Sequence, residues 1–524
     1  MRPRRPRPPL AVAAVLGLLL GCGRCGESPA PPERLLPATG TFALLLPRLG
    51  DSATDLGLLV RAALSVPAAS GLGEQVAAVK AQLGFDPLDP EGLRGVGLDP
   101  GRAAGASLLY HPQGGVLLAL PLADRAAAEA LLARLARDRL GATEREERGA
   151  VVVLRQPGGP AALAYAAARG NLLLASGPAA PEHVAEAAGR AEADALSASP
   201  AFQAIRAAAG DRPGALLYAR SGGHEVPALL RDGVGLALRG TASGAMLRLL
   251  VLLPPERAEV WREVLGGEAG LAAGKEELAR LPEGMFAAGR LGGSPAALAR
   301  RLGYLYPAEA AALAGAGLDP VRDLAAHLAP GAAAGLWLPP ALDLPAVARS
   351  GAAAARDPFR LLHPGLRWRV ADAAGLRSGL SKLARALPAL GIAPVAEGPD
   401  GWSAPVGGGR LAWRLAGDHL YLAGGPGRLE ALQAAGARFA APTPTSRAAL
   451  EGGEAAGVLD VGRLVAGFRA LPGSSFGTGP DGFVMRALVE RFLEPASHLT
   501  AVSLRLELLP GAARVDLAIE GGVR

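Results

Sequence analysis

The most constraining feature of this sequence is that one order of turn, strand and capped helix occurs twice. Asp124 and Asp372 each precede a helical pattern, and Gly170 and Gly417 each open a run of small and aliphatic residues. The interval from Asp124 to Gly170 is 46 residues, and that from Asp372 to Gly417 is 45. Because chance matches of short motifs would not preserve this interval, the sequence predicts an internal duplication.

We place the two homologous units at residues 35–270 and 275–524. Their opening segments, 36–43 and 281–287, are similar, and each unit contains one Gly-Leu-Asp-Pro motif. We expect the two units to superpose, with the helix after Asp124 equivalent to the helix after Asp372. Two like units can frame a cleft, and clefts between domains commonly bind ligands.

Helical and strand periodicities alternate within each unit. Ala128, Leu132 and Leu135 share one helical face behind Asp124, a natural N-cap. The segment 502–520 alternates apolar and polar residues around a Pro-Gly turn, and 233–252 has the same character. Period-two alternation indicates sheets with one covered face. The predicted fold class is therefore α+β, with two homologous units, largely antiparallel sheets and helices covering one face.

The N-terminus indicates export. A basic start, Arg2 to Arg7, precedes the uncharged segment from Leu10 to Leu20, and Gly21 and Cys22 follow. This is the pattern of a lipoprotein signal peptide over residues 1–21, with Cys22 as the lipidation site and therefore the carrier of fatty acyl groups such as palmitate. A conventional signal peptide cleaved elsewhere is the alternative.

The segment after the signal peptide, residues 22–34, is predicted to be a proline-rich tether between the lipid and the body. We expect the protein to be anchored in the cell envelope through this lipid. Gly23 follows the cysteine, which favours the periplasmic face of the outer membrane.

Charge and cysteine content exclude several classes of function. The formal net charge is +6, but four arginines lie in the signal peptide, which leaves the mature chain near +2. The sequence has neither a basic stripe nor an aromatic platform, so we predict no nucleic-acid partner. The only cysteines are Cys22 and Cys25. Lipidation of Cys22 would remove this C-x-x-C pair from redox or zinc chemistry, and the body would contain no disulfide.

Several segments together resemble a family of exported bacterial proteins built on a domain of unknown function. They are the opening 36–43, the Gly-Phe-Asp-Pro and Gly-Leu-Asp-Pro motifs at 84–87 and 97–100, and the Ser-Ala-Ser-Pro-Ala-Phe element at 197–202. The second unit departs from this pattern, with Pro-Thr-Pro-Thr-Ser-Arg at 442–447. The resemblance implies export and a repeated α+β body. It implies no activity and no catalytic residues.

Candidate catalytic motifs lack the context that their chemistry needs. Ser475 lies in a G-x-S-x-G pattern, but a nucleophile elbow requires a strand before the serine and a helix directly after it. No two of the seven histidines are three or four residues apart, which excludes a helical metal-binding pair. Asp99 and Asp319 recur in both units, yet each precedes proline in a turn-forming pair. We therefore predict no catalytic, metal or cofactor-binding residues and no cofactor.

Three functions fit these observations. The favoured one is a non-catalytic envelope lipoprotein that binds another envelope protein or acts as a scaffold. The second is a carrier of lipid or another apolar ligand, which a large apolar cavity would favour. The third is a hydrolase with a dispersed Ser-His-Asp site. Trp337, Trp368, Trp402 and Trp413 all fall in the second unit, where they form either its core or the lining of a ligand pocket near the cleft.

Overall fold

A computed structural model describes residues 29–64, 70–109, 115–141, 143–210, 213–220, 233–241, 243–350, 361–406, 408–434 and 436–521. Within these ranges the strands are Phe42–Leu46 (β1), Ala104–Leu108 (β2), Val116–Pro121 (β3), Glu144–Arg148 (β4), Val151–Arg155 (β5), Ala161–Ala168 (β6), Asn171–Ser176 (β7), Ala215–Ala219 (β8), Val234–Thr241 (β9), Gly244–Leu252 (β10), Ala287–Leu291 (β11), Leu328–Trp337 (β12), His363–Val370 (β13), Val395–Ala396 (β14), Gly401–Val406 (β15), Gly409–Ala416 (β16), His419–Gly424 (β17), Ala455–Asp460 (β18), Leu499–Leu509 (β19) and Ala512–Gly521 (β20).

The helices pack on both faces of the sheet that these strands form. In chain order the α-helices are Leu49–Leu64 (α1), Ser70–Leu83 (α2), Pro90–Gly95 (α3), Arg125–Leu140 (α4), Ala180–Gly189 (α5), Pro200–Ala209 (α6), Pro255–Leu265 (α7), Glu268–Leu278 (α8), Pro295–Leu305 (α9), Pro307–Gly315 (α10), Leu344–Ser350 (α11), Ala373–Ala386 (α12), Arg428–Gln433 (α13), Pro444–Glu451 (α14), Val461–Arg469 (α15) and Gly479–Ala496 (α16).

All twenty strands belong to one antiparallel sheet. Reading the pairings across it gives the order β4-β5-β6-β7-β3-β2-β1-β8-β9-β10-β20-β19-β18-β11-β12-β13-β17-β16-β15-β14. The sheet and its covering helices confirm the predicted α+β class with antiparallel pairing. Helices lie on both faces of the sheet, however, and not on one face as the sequence predicted.

Every pairing among the first ten strands has a counterpart among the second ten. Strand β1 lies between β2 and β8, for example, and β11 lies between β12 and β18. The halves meet where β10 pairs with β20, which hold the same place in each half. Descent from one duplicated unit stays a prediction, and this correspondence supports it.

Capping by aspartate starts the equivalent helices α4 and α12. Asp124 accepts hydrogen bonds from the N–H groups of Ala126 and Ala127, and Asp372 does the same for Ala374 and Gly375. Helix α4 follows β3 and helix α12 follows β13, and these two strands hold equivalent places in the two halves. The predicted helix starts at these two aspartates are therefore correct, as is the end of α4 at Gly141.

The predicted match of Gly170 with Gly417 is displaced by one residue. The turn before β7 consists of Arg169 and Gly170, and the turn before β17 consists of Gly417 and Asp418. Arg169 and Gly417 are the equivalent positions, and both have a positive φ, 48° and 60°. The strands after the turns then start at the same distance from the two capping aspartates, so no insertion is needed.

Helix coverage differs between the two faces of the sheet. The first face carries the two largest cores, one against α5 and α6 and the other against α8, α13 and α14. On the second face, α4 and α12 cover the outer strands through two smaller cores. The central strands expose apolar side chains there, including Leu44, Leu108 and Leu504. Among the described residues, α1 contacts β9, but the helices leave part of the middle of the second face uncovered.

The end of the predicted tether lies against the body. Ala30 accepts a hydrogen bond from the side chain of Asn171 at 2.8 Å, and its own N–H donates to Arg169 at 3.0 Å. Glu33 is buried and paired with Arg206. Residues 30–34 are therefore docked, and Cys22 itself lies outside the described residues.

Candidate ligand-binding site

Helix α12 lies over the second face of β13, β15, β16 and β17. Leu376, Leu380 and Leu383 recur at intervals of three or four residues and point the apolar side of the helix toward the sheet. Gly379 permits a close approach, because a Cβ there would lie 1.7 Å from the carbonyl oxygen of Asp323. The helix is thereby pressed against the turn Pro320–Leu324.

A buried carboxylate fixes this contact. Asp323 accepts hydrogen bonds from Arg322, from the N–H of Asp319 and from Lys382 on α12, the last at 3.0 Å. The Arg322 guanidinium foremost, with the N–H of Asp319 and the ammonium of Lys382, holds the pKa of Asp323 well below its usual range. Asp323 is thus ionised across the physiological pH range and links the turn to the helix.

Between α12 and the sheet is a cavity of about 270 Å³ with an entirely apolar wall. The residues of that wall are Leu324, Leu328, Leu366, Trp368, Leu376, Leu380, Leu383, Leu387, Ile392, Ala404, Val406, Leu411, Trp413, Leu420 and Leu422. For comparison, an engineered apolar cavity of about 150 Å³ stays dry and binds benzene. Several wall residues, among them Leu387 and Ile392, are only partly buried, so the cavity reaches the surface.

The four tryptophans of the second half divide between two places. Trp368 and Trp413 line the cavity, and Trp402 packs in the same cluster. Trp337 lies in the core of the other face, under the guanidinium of Arg428. The indole N–H of Trp368 donates to Ala329 at 2.7 Å. The buried indole N–H of Trp413 has no acceptor within the described part of the chain.

Comparison with the first half gives one reason for the cavity. In the second half, Ala404 pairs with Leu411, which pairs with the last residue of β17. In the first half, Leu154 pairs with Leu163, which pairs with the last residue of β7. Because β7 and β17 are equivalent strands, Ala404 and Leu154 are equivalent residues. Leu154 fills the core beneath α4, whereas Ala404 ends in a methyl group. The second half is therefore hollow at a position that the first half fills.

The cavity continues onto the open part of the sheet. A shallow apolar depression of about 500 Å³ covers β11, β12, β13, β18 and β19, and Leu366 belongs to the walls of both features. A row of directly paired residues follows this path across the strands: Leu504, Gly457, Gly289, Ala334, Leu366 and Leu422. The depression and the cavity therefore meet at Leu366 and together form an apolar groove, one end of which lies under α12.

The candidate site lies within the second half. We expected a ligand site in a cleft between units, but the two halves are joined there by the β10–β20 pairing. Two of the four tryptophans, Trp368 and Trp413, line this candidate site.

A larger cavity of about 560 Å³ lies beside the docked tether. Its wall includes the Glu33–Arg206 ion pair and Gln203 along with Pro31 and Leu216. Burying an apolar molecule there would desolvate these charges without compensation. We therefore regard the smaller, wholly apolar cavity as the better ligand site.

A buried charge cluster bears on the hydrolase alternative. Nε2 of His419 lies 3.0 Å from Glu277, and Nδ1 lies 2.6 Å from Asp418. Arg367 pairs with Glu277, and its guanidinium lies 5.1 Å from the ring centre of Tyr421. Both imidazole nitrogens therefore face carboxylates, which leaves neither to activate a serine. The cluster ties α8 to β13 and β17.

Ser475, Asp99 and Asp319, which the sequence offered as candidate catalytic residues, stabilise turns in the structure. Ser475 is buried in the short 3-10 turn Gly473–Phe476, and its hydroxyl accepts the N–H of Leu342 at 3.1 Å. Asp99 accepts the N–H of Gly101, and Asp319 caps the turn that precedes β12. His111 and His224 lie outside the described residues.

Within the described ranges, no set of three or more histidine, cysteine, aspartate or glutamate side chains converges as metal ligands. In the same ranges, none of the helices has the length and apolar character that crossing a membrane would require.

The chain matches no protein-family model, and no curated protein matches it. Among solved structures, crystal form IV of TP0453 is 13% identical with a TM-score of 0.26, covering 47% of this chain and 89% of that chain. Crystal form I of TP0453 is also 13% identical with a TM-score of 0.26, covering 44% of this chain and 80% of that chain.

Proposed function

We propose that this protein binds a lipid or another apolar ligand in the cell envelope and carries or presents it there. The observation that supports this function is the wholly apolar cavity beneath α12, lined by Trp368 and Trp413 and adjoining the apolar depression on the sheet at Leu366. A general binding or scaffolding role needs no such cavity.

The physical case rests on the cost of leaving the cavity empty. Wall atoms that face a void lose their dispersion contacts, and water gains no hydrogen bonds from an apolar wall. A hydrocarbon chain would restore those contacts and leave water at the same time. The predicted lipid anchor at Cys22 would hold the cavity close to a source of such chains.

The test uses the two tryptophans in the wall. Titration with decanoic acid that carries bromine at its far end should quench the fluorescence of Trp368 and Trp413 saturably. Ala404→Leu places the first-half residue in the cavity and should weaken this binding by roughly tenfold or more, since each displaced methylene accounts for about a fourfold change in affinity.

The matched control is Leu154→Ala, which enlarges the equivalent place in the first half and should leave quenching unchanged. Unfolding by urea would verify that both variants remain folded. Absence of saturable quenching in the wild-type protein, or full quenching in Ala404→Leu, would contradict the proposal.

A further inference from the structure

We infer that the ligand contains a long unbranched hydrocarbon chain, and that Gly289 and Gly457 form the part of the groove that receives it. This inference rests on the proposed function and specifies the class of ligand. It follows from a comparison of two equivalent rows of residues on the open face of the sheet.

The row in the first half corresponds strand by strand to the row in the second. Its members are Leu236, Leu217, Leu44, Ala106, Leu118 and Leu174. The second row has the same residue type at four of the six positions. The two that differ are neighbours, with Gly457 in place of Leu217 and Gly289 in place of Leu44.

These two changes decide whether a groove exists. Leu44 and Leu217 are each 37% exposed and stand on the first half as a ridge. The paired glycines at the equivalent place form the floor of the 500 Å³ depression. Gly289 and Gly457 are both half-buried. Paired glycines in mid-strand weaken a sheet, because glycine has high conformational freedom when unfolded and no side chain to pack. Glycine within a strand often marks a site where a ligand or another backbone approaches closely.

The groove is long and follows a single row of paired residues across the strands, which selects the shape of its occupant. From β16 beneath α12 to Gly457 on β18 there are five strand spacings, or about 24 Å at roughly 4.8 Å each, which is about the length of an extended twenty-carbon chain. Half the hydrocarbon thickness of a bilayer, about 15 Å, is the reach of one ordinary acyl chain. A chain that starts in the cavity and extends past Leu366 must therefore be long and unbranched to reach the glycines.

Gly457→Leu is the informative variant. A Cβ at Gly457 would meet only the carbonyl oxygen of Ala288 at 3.8 Å, an ordinary contact, so the strand tolerates a side chain. A Cβ at Gly289 would lie 2.8 Å from the carbonyl oxygen of Ala456, which would force a shift. The matched control in the first half is Leu217→Gly.

The experiment measures quenching by terminally brominated decanoic and eicosanoic acids in wild type, Gly457→Leu, Gly457→Ala and Leu217→Gly. We expect Gly457→Leu to weaken eicosanoic acid binding by about tenfold, the loss of two buried methylenes, while decanoic acid binding stays within about twofold. Gly457→Ala should have a smaller effect in the same direction, and Leu217→Gly should have none.

The outcomes separate this inference from the function on which it rests. If neither acid binds the wild-type protein, the proposed function fails. If both acids bind the wild-type protein but Gly457→Leu binds eicosanoic acid equally well, the hydrocarbon chain does not lie over the glycines. The same conclusion follows if folded Gly457→Leu loses affinity for both acids to the same extent. Binding that weakens as protein concentration rises would mean that a second copy covers the groove, and this too would overturn the inference.

Discussion

Arg248 and Asp516 occupy equivalent positions in the two halves and lie directly opposite each other at the centre of the sheet. The turn of the first terminal hairpin lies between Thr241 and Gly244, and that of the second lies between Leu509 and Ala512. Equivalent residues of the two hairpins are therefore 268 positions apart in the sequence. Arg248 and Asp516 are separated by this same number. Their side chains form a bidentate pair, with Nε–Oδ1 and Nη2–Oδ2 distances of 2.6 and 3.2 Å.

This ion pair should hold the two halves in register. Arg248→Asp alone would place like charges opposite each other in a partly buried position and should lower the free energy of unfolding by about 3 kcal/mol. Exchange of the pair, Arg248→Asp with Asp516→Arg, should recover a large part of that loss. Urea denaturation of both single variants and the exchanged double variant checks this. A double variant no more stable than the singles would show that the pair is not coupled.

The two tryptophans of the cavity should respond differently to loss of the indole N–H. Trp368→Phe removes a donor that satisfies the carbonyl of Ala329, whereas Trp413→Phe removes a buried donor without an acceptor in the described chain. Because both substitutions remove the same volume, we expect Trp368→Phe to be more destabilising by about 1 kcal/mol. Thermal or urea unfolding of the two variants measures that difference. Equal losses would contradict it.

His363 should make stability depend on pH. Burial first, and the nearby Arg428 second, lower the pKa of His363 below its usual 6.5. The unfolded chain therefore takes up a proton before the folded protein does as pH falls. The free energy of unfolding should decrease as pH drops below about 6.5 and level off below the folded-state pKa.

The variant His363→Gln removes this titration. Its unfolding free energy should fall less between pH 7 and pH 5 than that of the wild type, as measured by urea denaturation at a series of pH values. A variant with the same slope as the wild type would assign the pH dependence to other groups.

Local features of the fold were accessible from the sequence because local interactions determine them. Asp124 and Asp372 behind strand-like segments predicted the starts of α4 and α12, since N-capping depends on the aspartate and its next few backbone N–H groups. Apolar alternation likewise predicted the terminal hairpin of each half.

The candidate site was not accessible in this way. Small residues are common in this Ala- and Gly-rich chain, so Ala404, Gly289 and Gly457 do not stand out in the sequence. They stand out only when each is compared with the larger residue at the equivalent position of the first half, which is Leu154, Leu44 and Leu217 respectively. That comparison requires the strand register, which depends on long-range pairing. Even the offset of one at Gly170 and Gly417 was hidden, because Arg169 adopts the left-handed conformation that the sequence pattern assigns to glycine.

The central pairing of β10 with β20 also bears on how the chain avoids misassembly. A half without its complement would expose a long apolar edge strand, the usual template for aggregation. Two first halves could pair through β10 about the same centre, but Arg248 would then face Arg248. The free edges of the finished sheet are protected instead, by the exposed Glu and Arg residues of β4 and by the two-residue length of β14. Opposite charges at one pseudo-symmetric position thus favour closure within a single chain over assembly between chains.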